Sequence, residues 1–293
     1  MSLSPVLSLP DATFTIRQES SGRLLDAHEN AANDFRLVTR PAQNNDTQRW
    51  EVATAHVGVV LTLRQESSGR FLDAHEDESN DFRLVTRSAQ NNDTQRWLMH
   101  NADDTGANTF QQLSNFRFMD AHEDEANDFR LVTRPAQNND TQRWIVDSGG
   151  PARFRIRQKS STRRMDAHEN AANDFSAVTR PIQDNDTQVW IRQIVGSVVT
   201  IRQKSSGRFM DAHEDANNDF AAVTRPAQNN DSQLWIVVSA GGSLATGDGT
   251  YTMRQLRSGR FLDAHELEAN DFGAVTRTAQ NNDTQRWLFT RIP

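Results

Sequence analysis

Six tryptophans divide the chain into six similar segments. They are spaced 45 to 52 residues apart, and each follows an Asp-Ala-His-Glu tetrapeptide whose aspartate lies 24 residues earlier. Length varies only after each tryptophan, which is typical of surface connections. Recurrence at this period indicates a repeat architecture in which each unit buries its apolar face against neighbouring units. The tryptophans are Trp50, Trp97, Trp144, Trp190, Trp235 and Trp287.

Each repeat is predicted to consist of short β-strands. In the first repeat, residues 15–18, 23–26, 35–40 and 48–50 are apolar or mixed, and turns containing Gly, Asn and Asp separate them. This spacing is typical of all-β folds. Helical periodicity is absent over any window long enough to matter. We therefore predict an all-β protein.

Two closed architectures accommodate six such repeats: a six-bladed β-propeller with four strands per blade, or two tandem β-trefoil domains of three repeats each. Residues 28–35 recur letter for letter at 168–175, three repeats later. The first three repeats also share Phe-Arg-Leu-Val, whereas the last three have Ala in place of this Leu. Duplication of a finished three-repeat domain explains this triplet register. We predict trefoil domains at residues 1–149 and 150–293, with the propeller as the alternative.

Composition and charge exclude several classes of function. The formal charge of -7 argues against nucleic-acid binding, which needs a basic face. The absence of Cys excludes disulfides, catalytic thiols and Cys-ligated zinc. No apolar run is long enough for membrane insertion. Residues 1–10 lack the basic and apolar regions of a signal peptide, so we expect a cytoplasmic protein or one released without such a peptide.

The polar clusters do not favour catalysis. A hydrolase needs one asymmetric pair of acid and base, whereas this chain has six near-copies of one cluster. No repeat brings together the His and Cys ligands of a metal site. We therefore predict no enzyme activity, no catalytic residue, no metal and no cofactor.

Two motifs resemble a known family. Gln48-Arg49-Trp50 and its five counterparts resemble the Gln-x-Trp signature of ricin-B-type β-trefoil lectins, and residues 21–26, Ser-Gly-Arg-Leu-Leu-Asp, resemble a strand of that family. The resemblance covers about residues 12–291. It implies a six-stranded barrel closed by a triangular cap, with one sugar site per lobe. It also implies glycans or glycoconjugates as partners.

The resemblance places a candidate carbohydrate-binding set in every repeat. A carboxylate can accept hydrogen bonds from two adjacent sugar hydroxyls, and neighbouring polar side chains add donors and acceptors. The candidates are Asp26, His28, Arg40, Asn45, Asp46 and Gln48; Asp73, His75, Arg87, Asn92, Asp93 and Gln95; Asp120, His122, Arg134, Asn139, Asp140 and Gln142; Asp166, His168, Arg180, Asn185, Asp186 and Gln188; Asp211, His213, Arg225, Asn230, Asp231 and Gln233; Asp263, His265, Arg277, Asn282, Asp283 and Gln285.

Structural roles compete with sugar binding at these positions. Asp26 could instead pair with Arg40, and His28 could bond a loop backbone. Asn33 and Asp34 are turn formers. Leu25, Phe35, Val38 and Trp50 are expected in the core, as are their counterparts.

Arginine also occupies the position where the family often has an aromatic platform, so an acidic sugar is one option. Repeats 3 and 4 depart from the common turn sequence at residues 113–116 and 161–163. We expect their sites to be the weakest.

Repeated weak sites gain avidity when linked. The sequence thus predicts a multivalent lectin, and it leaves homo-oligomer formation open. The alternatives are a protein-binding trefoil similar to actin-bundling relatives of the fold, and the receptor-binding subunit of a toxin.

Overall fold

The computed structural model describes residues 11–102, 106–150, 152–228, 230–242 and 248–292. The prediction about a signal peptide concerns residues 1–10 and lies outside this range. The described residues form strands β1 to β22 and short 3-10 helices, without an α-helix. The all-β prediction is confirmed.

Each repeat has a first strand, a hairpin of two four-residue strands, and a last strand that begins at the repeated tryptophan. In two places, the last strand of one repeat continues into the first strand of the next. The strands are β1 Ala12–Gln18, β2 Leu24–Ala27, β3 Leu37–Arg40, β4 Trp50–Gln65, β5 Phe71–Ala74, β6 Leu84–Arg87, β7 Trp97–Asn101, β8 Ala107–Gln112, β9 Phe118–Ala121, β10 Leu131–Arg134, β11 Trp144–Gly150, β12 Arg153–Gln158, β13 Arg164–Ala167, β14 Ala177–Arg180, β15 Trp190–Gln203, β16 Phe209–Ala212, β17 Ala222–Arg225, β18 Trp235–Gly242, β19 Gly249–Gln255, β20 Phe261–Ala264, β21 Ala274–Arg277 and β22 Trp287–Arg291.

Two 3-10 helices per repeat fix the polar loops. One follows the repeated histidine and the other contains the glutamine of Gln-x-Trp. The first set is Ala31–Asn33, Glu78–Asn80, Glu125–Asn127, Ala171–Asn173, Ala216–Asn218 and Glu268–Asn270. The second set is Asp46–Gln48, Asp93–Gln95, Asp140–Gln142, Asp186–Gln188, Asp231–Gln233 and Asp283–Gln285.

The chain forms two compact units. One contains Met1–His56 and Val195–Pro293, and the other contains Val57–Ile194. The first trefoil is therefore built from repeats 1, 5 and 6, and the second from repeats 2, 3 and 4. In the first, β1 pairs antiparallel with β22, with Thr15 opposite Thr290. In the second, β12 pairs with β11, with Arg155 opposite Asp147.

This grouping differs from the predicted boundary between residues 149 and 150, because repeats 1 and 4 have exchanged places. The connections explain the exchange. Repeats 2 and 3, 3 and 4, and 5 and 6 are joined by hairpins between paired strands. Repeats 1 and 2, and repeats 4 and 5, are joined by single strands of 16 and 14 residues, β4 and β15, which carry the chain into the other trefoil.

The two long strands lack the turn residues that a hairpin requires. Each has one glycine at its middle, Gly58 or Gly196, and there the partner strand approaches so closely that a Cβ would collide with the carbonyl oxygen of Met99 or Val237. These glycines thus serve close strand approach, not a turn. Repeats 1 and 4 can replace each other because their loops at 28–35 and 168–175 have the same sequence.

The core of each trefoil contains the repeated tryptophans, which are fully buried. Each indole Nε1 donates to a backbone carbonyl of its own repeat, as Trp50 does to Leu25 at 3.1 Å. Leu25 and Val38 are buried as predicted. Phe35 is only half-buried, so its placement in the core was wrong. The backbone of Phe35 has a φ of 50°, and a guanidinium group covers the ring.

The arginine that follows the first turn of each repeat joins neighbouring repeats within each trefoil. Arg208 lies 3.7 Å above the ring of Phe35 and donates from Nε and Nη2 to the carbonyl oxygen of Thr224. Stacking and charge-assisted hydrogen bonds both stabilise this contact. The other pairs are Arg23 with Phe272, Arg70 with Phe175, Arg117 with Phe82, Arg163 with Phe129, and Arg260 with Phe220.

Substitution of Thr162→Gly is expected to stabilise the second trefoil by about 1 kcal/mol, because a left-handed backbone is unfavourable for a β-branched residue. Thr162 has a φ of 62°, where Gly22 has 68° in the same turn of repeat 1. Urea denaturation measures the change. Ser161→Gly is the control and should destabilise, since Ser161 donates to Gln158. An unchanged or lower stability of Thr162→Gly would contradict the prediction.

Candidate functional site

The repeated aspartate lies on the second strand of its repeat and is only 2–5% exposed in all six copies. Its Oδ1 accepts from the backbone N–H of the next residue, as Asp120 does from Ala121 at 2.8 Å. In repeats 2, 3, 4 and 6 its Oδ2 also accepts from Nε2 of the Gln-x-Trp glutamine, as Asp120 does from Gln142 at 3.1 Å. The aspartate therefore holds the strand and the glutamine loop together.

The glutamine of Gln-x-Trp organises the loop before it. Nε2 of Gln142 donates to the carbonyl oxygen of Pro135 at 3.0 Å, and its Oε1 accepts from the backbone N–H of Gln137 at 2.9 Å. The same two bonds recur in the other five repeats. The glutamine thus fixes the backbone of the loop that precedes it.

The repeated histidines connect neighbouring repeats. Nε2 of each histidine lies 2.6–2.9 Å from a carboxylate in another repeat of the same trefoil. In each trefoil, three such pairs link the three repeats in a ring. These carboxylates belong to the Asn-Asp turns, so the turn aspartates also link repeats. The pairs are His28–Asp271, His213–Asp34 and His265–Asp219 in the first trefoil, and His75–Asp174, His122–Asp81 and His168–Asp128 in the second.

The repeated arginine of the third strand lies between carboxylates. Nη1 of Arg134 donates to Asp81 at 2.7 Å, and in repeat 1 Nε of Arg40 lies 4.0 Å from Asp26. Partial burial pushes the pKa of Asp81 upward, but hydrogen bonds from Arg134 and His122 and their positive charge outweigh burial and lower it. The arginine charge is therefore largely compensated inside the protein.

A concavity of about 300 Å³ lies in repeat 3. Asp120, His122, Arg134 and Asn139 line it together, as the sequence predicted for one site. Residues 113–116, whose unusual sequence predicted a weak site, are not among the lining residues. The departure in that turn therefore leaves the walls of the concavity unaffected.

Two predicted members of the repeat 3 set are not among the lining residues. Asp140 pairs with Arg143 at 3.0 Å, and Gln142 lies behind Asp120. Asp46, Asp93 and Asp283 make the same pair with Arg49, Arg96 and Arg286. These aspartates are held by the arginine of Gln-Arg-Trp, three residues later.

Sequence reasoning missed three polar lining residues, Glu123, Gln137 and Thr141. Gln137 accepts from Nδ2 of Asn139 at 3.1 Å, and Thr141 donates to Oδ1 of Asn139 at 2.9 Å. A glutamate and a glutamine recur at these positions in every repeat, and Thr141 is replaced only by Ser232. Recurrence of these residue types was the signal that could have identified them.

Within the described ranges, no group of three or more His, Asp or Glu side chains is arranged to hold a metal ion. None of the described helices is long and apolar enough to cross a membrane.

Family models match most of the chain. The model of the ricin-type β-trefoil lectin domain matches residues 12–144, and that of the ricin-type β-trefoil lectin domain-like family matches residues 140–225 and 186–265. The chain belongs to the ricin-type β-trefoil lectin family. The predicted resemblance and the two-trefoil fold are thus confirmed. No curated protein matches the sequence.

Solved structures with similarity to this lectin-family chain include several trefoils. The Polyporus squamosus lectin bound to a human-type influenza-binding epitope is 15% identical, with a TM-score of 0.42, and the match covers 48% of this chain and 51% of that one. The Macrolepiota procera ricin B-like lectin in complex with lactose is 16% identical, with a TM-score of 0.39, and coverage is 47% and 96%. A designed threefold symmetric protein, ThreeFoil, is 16% identical, with a TM-score of 0.42, and coverage is 45% and 96%.

Proposed function

We propose that the protein is a multivalent lectin that binds glycans through one site per repeat and catalyses no reaction. The observation that carries this proposal is the concavity of repeat 3, in which acceptor and donor side chains converge. Asp120 offers a carboxylate, Asn139 an amide and Arg134 a guanidinium, and the bonds of Gln137 and Thr141 fix the amide. Such a set suits the paired hydroxyls of a sugar ring.

The charges of this site favour neutral sugars over acidic ones. Arg134 already donates to Asp81, while Asp120 and the exposed Glu123 add negative charge to the lining. A sugar carboxylate would therefore meet repulsion as well as a compensated guanidinium. An acidic ligand, which the sequence left open, is disfavoured for this reason.

No Phe, Tyr or Trp side chain lines the repeat 3 concavity in the part of the chain that the structure describes. A sugar there gains hydrogen bonds without stacking on a large aromatic ring, so each site is expected to be weak. Linked weak sites gain affinity through effective concentration, which suits glycans on a surface.

A glycan array with the purified chain tests the proposal. We expect binding to neutral glycans on densely coated spots, and at least tenfold weaker binding to their sialylated or uronic-acid counterparts. Asp120→Asn, which removes a carboxylate of the concavity, should lose the binding of repeat 3. Its matched control Asp147→Asn removes a carboxylate of repeat 3 outside the concavity and should bind as the wild type does. Binding to no glycan, or capture of a protein partner that survives excess free sugar, would contradict the proposal.

A further inference from the structure

Besides the concavity of repeat 3, the protein has another one in the first trefoil, where the loops of repeats 1, 5 and 6 meet. Its volume of about 530 Å³ falls within the range of about 300–1,000 Å³ that is usual for small-molecule sites. Equivalent residues of the three repeats surround it, among them the amides Asn33, Asn218 and Asn270. We call it the axial cavity. Asp26, Arg40 and Asn45 do not line it, so it is distinct from the site of repeat 1, although it shares His28 with that site and His265 with the site of repeat 6.

Small side chains keep the axial cavity open. At the equivalent positions around its own axis, the second trefoil has Arg-Leu at 83–84 and at 130–131 and Ser-Ala at 176–177. The first trefoil has one Arg-Leu, at 36–37, whereas repeats 5 and 6 have Ala-Ala at 221–222 and Gly-Ala at 273–274. Ala221, Gly273 and Ala274 all line the cavity. Below these small side chains lies an apolar floor that includes Val38 and Val275, which are only 1% and 3% exposed.

An unusual leucine lies close in sequence to the residues that line the axial cavity. Five repeats have Asn or Asp before the first 3-10 helix, and these side chains accept from the backbone N–H of the third helix residue, as Asn30 does from Asn33 at 2.9 Å. Repeat 6 has Leu267 there, which is 64% exposed and makes no such bond. Repeat 6 therefore replaces a stabilising cap by apolar surface two residues from Ala269, which lines the cavity.

Polar groups surround the apolar floor. Asp34, Asp219 and Asp271 line the cavity, and each pairs with a histidine. Arg277 lies 3.9 Å from Asp219, and Arg40 lies 4.0 Å from Asp271. Arg36 also lines the cavity. Three arginines therefore balance the three carboxylates, and the cavity has no strong preference for a charged ligand. Amide and carboxylate groups above an apolar floor match a ligand with hydroxyl groups at its edge and C–H groups on its face.

We propose that the axial cavity binds a neutral saccharide of one or two rings, as a seventh site in addition to the six repeat sites. The choice of a sugar rests on the proposed function, whereas the existence of the cavity does not. Hydroxyl groups would donate to the aspartates and accept from the asparagine amides, and the ring face would lie against the exposed methyl groups of Ala32 and Ala269.

Alanine methyl groups report on both kinds of site. Ala121 lines the repeat 3 concavity, and Ala221, Ala269 and Ala274 line the axial cavity. The full chain is labelled with ¹³C at its alanine methyl groups, and the methyl signals are followed by NMR. It is then titrated with methyl β-galactoside, methyl β-glucoside and methyl β-N-acetylglucosaminide. We expect the methyl signals of Ala221, Ala269 and Ala274 to shift until the site is saturated. The dissociation constant from these shifts should differ from the constant that the Ala121 signal gives.

Ala274→Leu fills the axial cavity. At the position of Ala274, the three repeats of the first trefoil then have two Leu and one Ala, as the three repeats of the second trefoil do. The variant should weaken binding at Ala221 and Ala269 at least tenfold and leave the shifts of Ala121 unchanged. The matched control, Ala177→Leu, adds the same leucine to the second trefoil and should leave axial binding intact. A second variant, Asn270→Ala, alters only an exposed loop side chain and should also weaken axial binding.

The outcomes separate the two proposals. If Ala121 shifts and the axial methyl groups do not, the axial site is overturned and the proposed function stands. If the axial methyl groups shift alone, the axial site is supported and binding at repeat 3 is contradicted. If no methyl group shifts with any of the three glycosides, both proposals are overturned. Axial shifts that persist in both Ala274→Leu and Asn270→Ala would also overturn the axial site.

Discussion

The double variant Thr15→Cys/Thr290→Cys is expected to form an intramolecular disulfide and to become markedly more stable. The two residues are directly opposite in the β1–β22 pair, and Cα atoms of opposite residues are about 4.5–5.5 Å apart, within disulfide range. The chain has no other cysteine to compete. The bridge would close a loop of most of the chain, so oxidation should stabilise the protein by about 4 kcal/mol. Nonreducing electrophoresis and urea denaturation with and without reductant measure these effects.

Thr15→Cys/Asp147→Cys is the matched control. Asp147 occupies the position in repeat 3 that Thr290 occupies in repeat 6, three residues after the tryptophan. This pair would be adjacent only if repeats 1, 2 and 3 formed one trefoil. We expect no intramolecular disulfide in the control. The reverse result, with a bridge in the control and none between positions 15 and 290, would contradict the exchange of repeats 1 and 4.

The triple variant Asp73→Asn/Asp120→Asn/Asp166→Asn is expected to unfold the second trefoil. Asparagine keeps the bond from the next backbone N–H, but its amide would face Nε2 of glutamine, which is a second donor. A buried donor without a partner costs about 1–3 kcal/mol, and distant sites add. The sum, about 3–9 kcal/mol, is comparable with the total stability of a domain, about 5–15 kcal/mol. Urea denaturation followed by tryptophan fluorescence measures the loss.

The chain provides a matched control for this variant. Asp26 and Asp211 are equally buried, but among the described residues they do not accept from the glutamines of their own repeats, Gln48 and Gln233. Asp26→Asn/Asp211→Asn should therefore destabilise far less per substitution. Equal losses per substitution would show that the bond to glutamine is not the cause. The single variant Asp120→Asn should fold and lose only the binding of repeat 3.

Much of the candidate site could be predicted from the sequence, because each residue recurs at a fixed distance from a tryptophan. Asp120, His122, Arg134 and Asn139 belong to three different segments, yet they line one concavity. Gln137 and Thr141 recur as regularly as these residues, but their residue types are common in loops. The cross-repeat pairs, such as His122–Asp81, could not be predicted because sequence distance says nothing about which repeats become neighbours.

The sequence by itself determined the repeat, its strands, its buried tryptophans and the division into two sets of three repeats. These properties depend on local patterns, since alternation of apolar residues and turn chemistry act within about 47 residues. Only the tertiary structure decided which repeats share a core. Repeats 1 and 4 present the same loop to their neighbours, so either can complete either trefoil. The straight strands β4 and β15, which lack a turn, decide between the two assemblies.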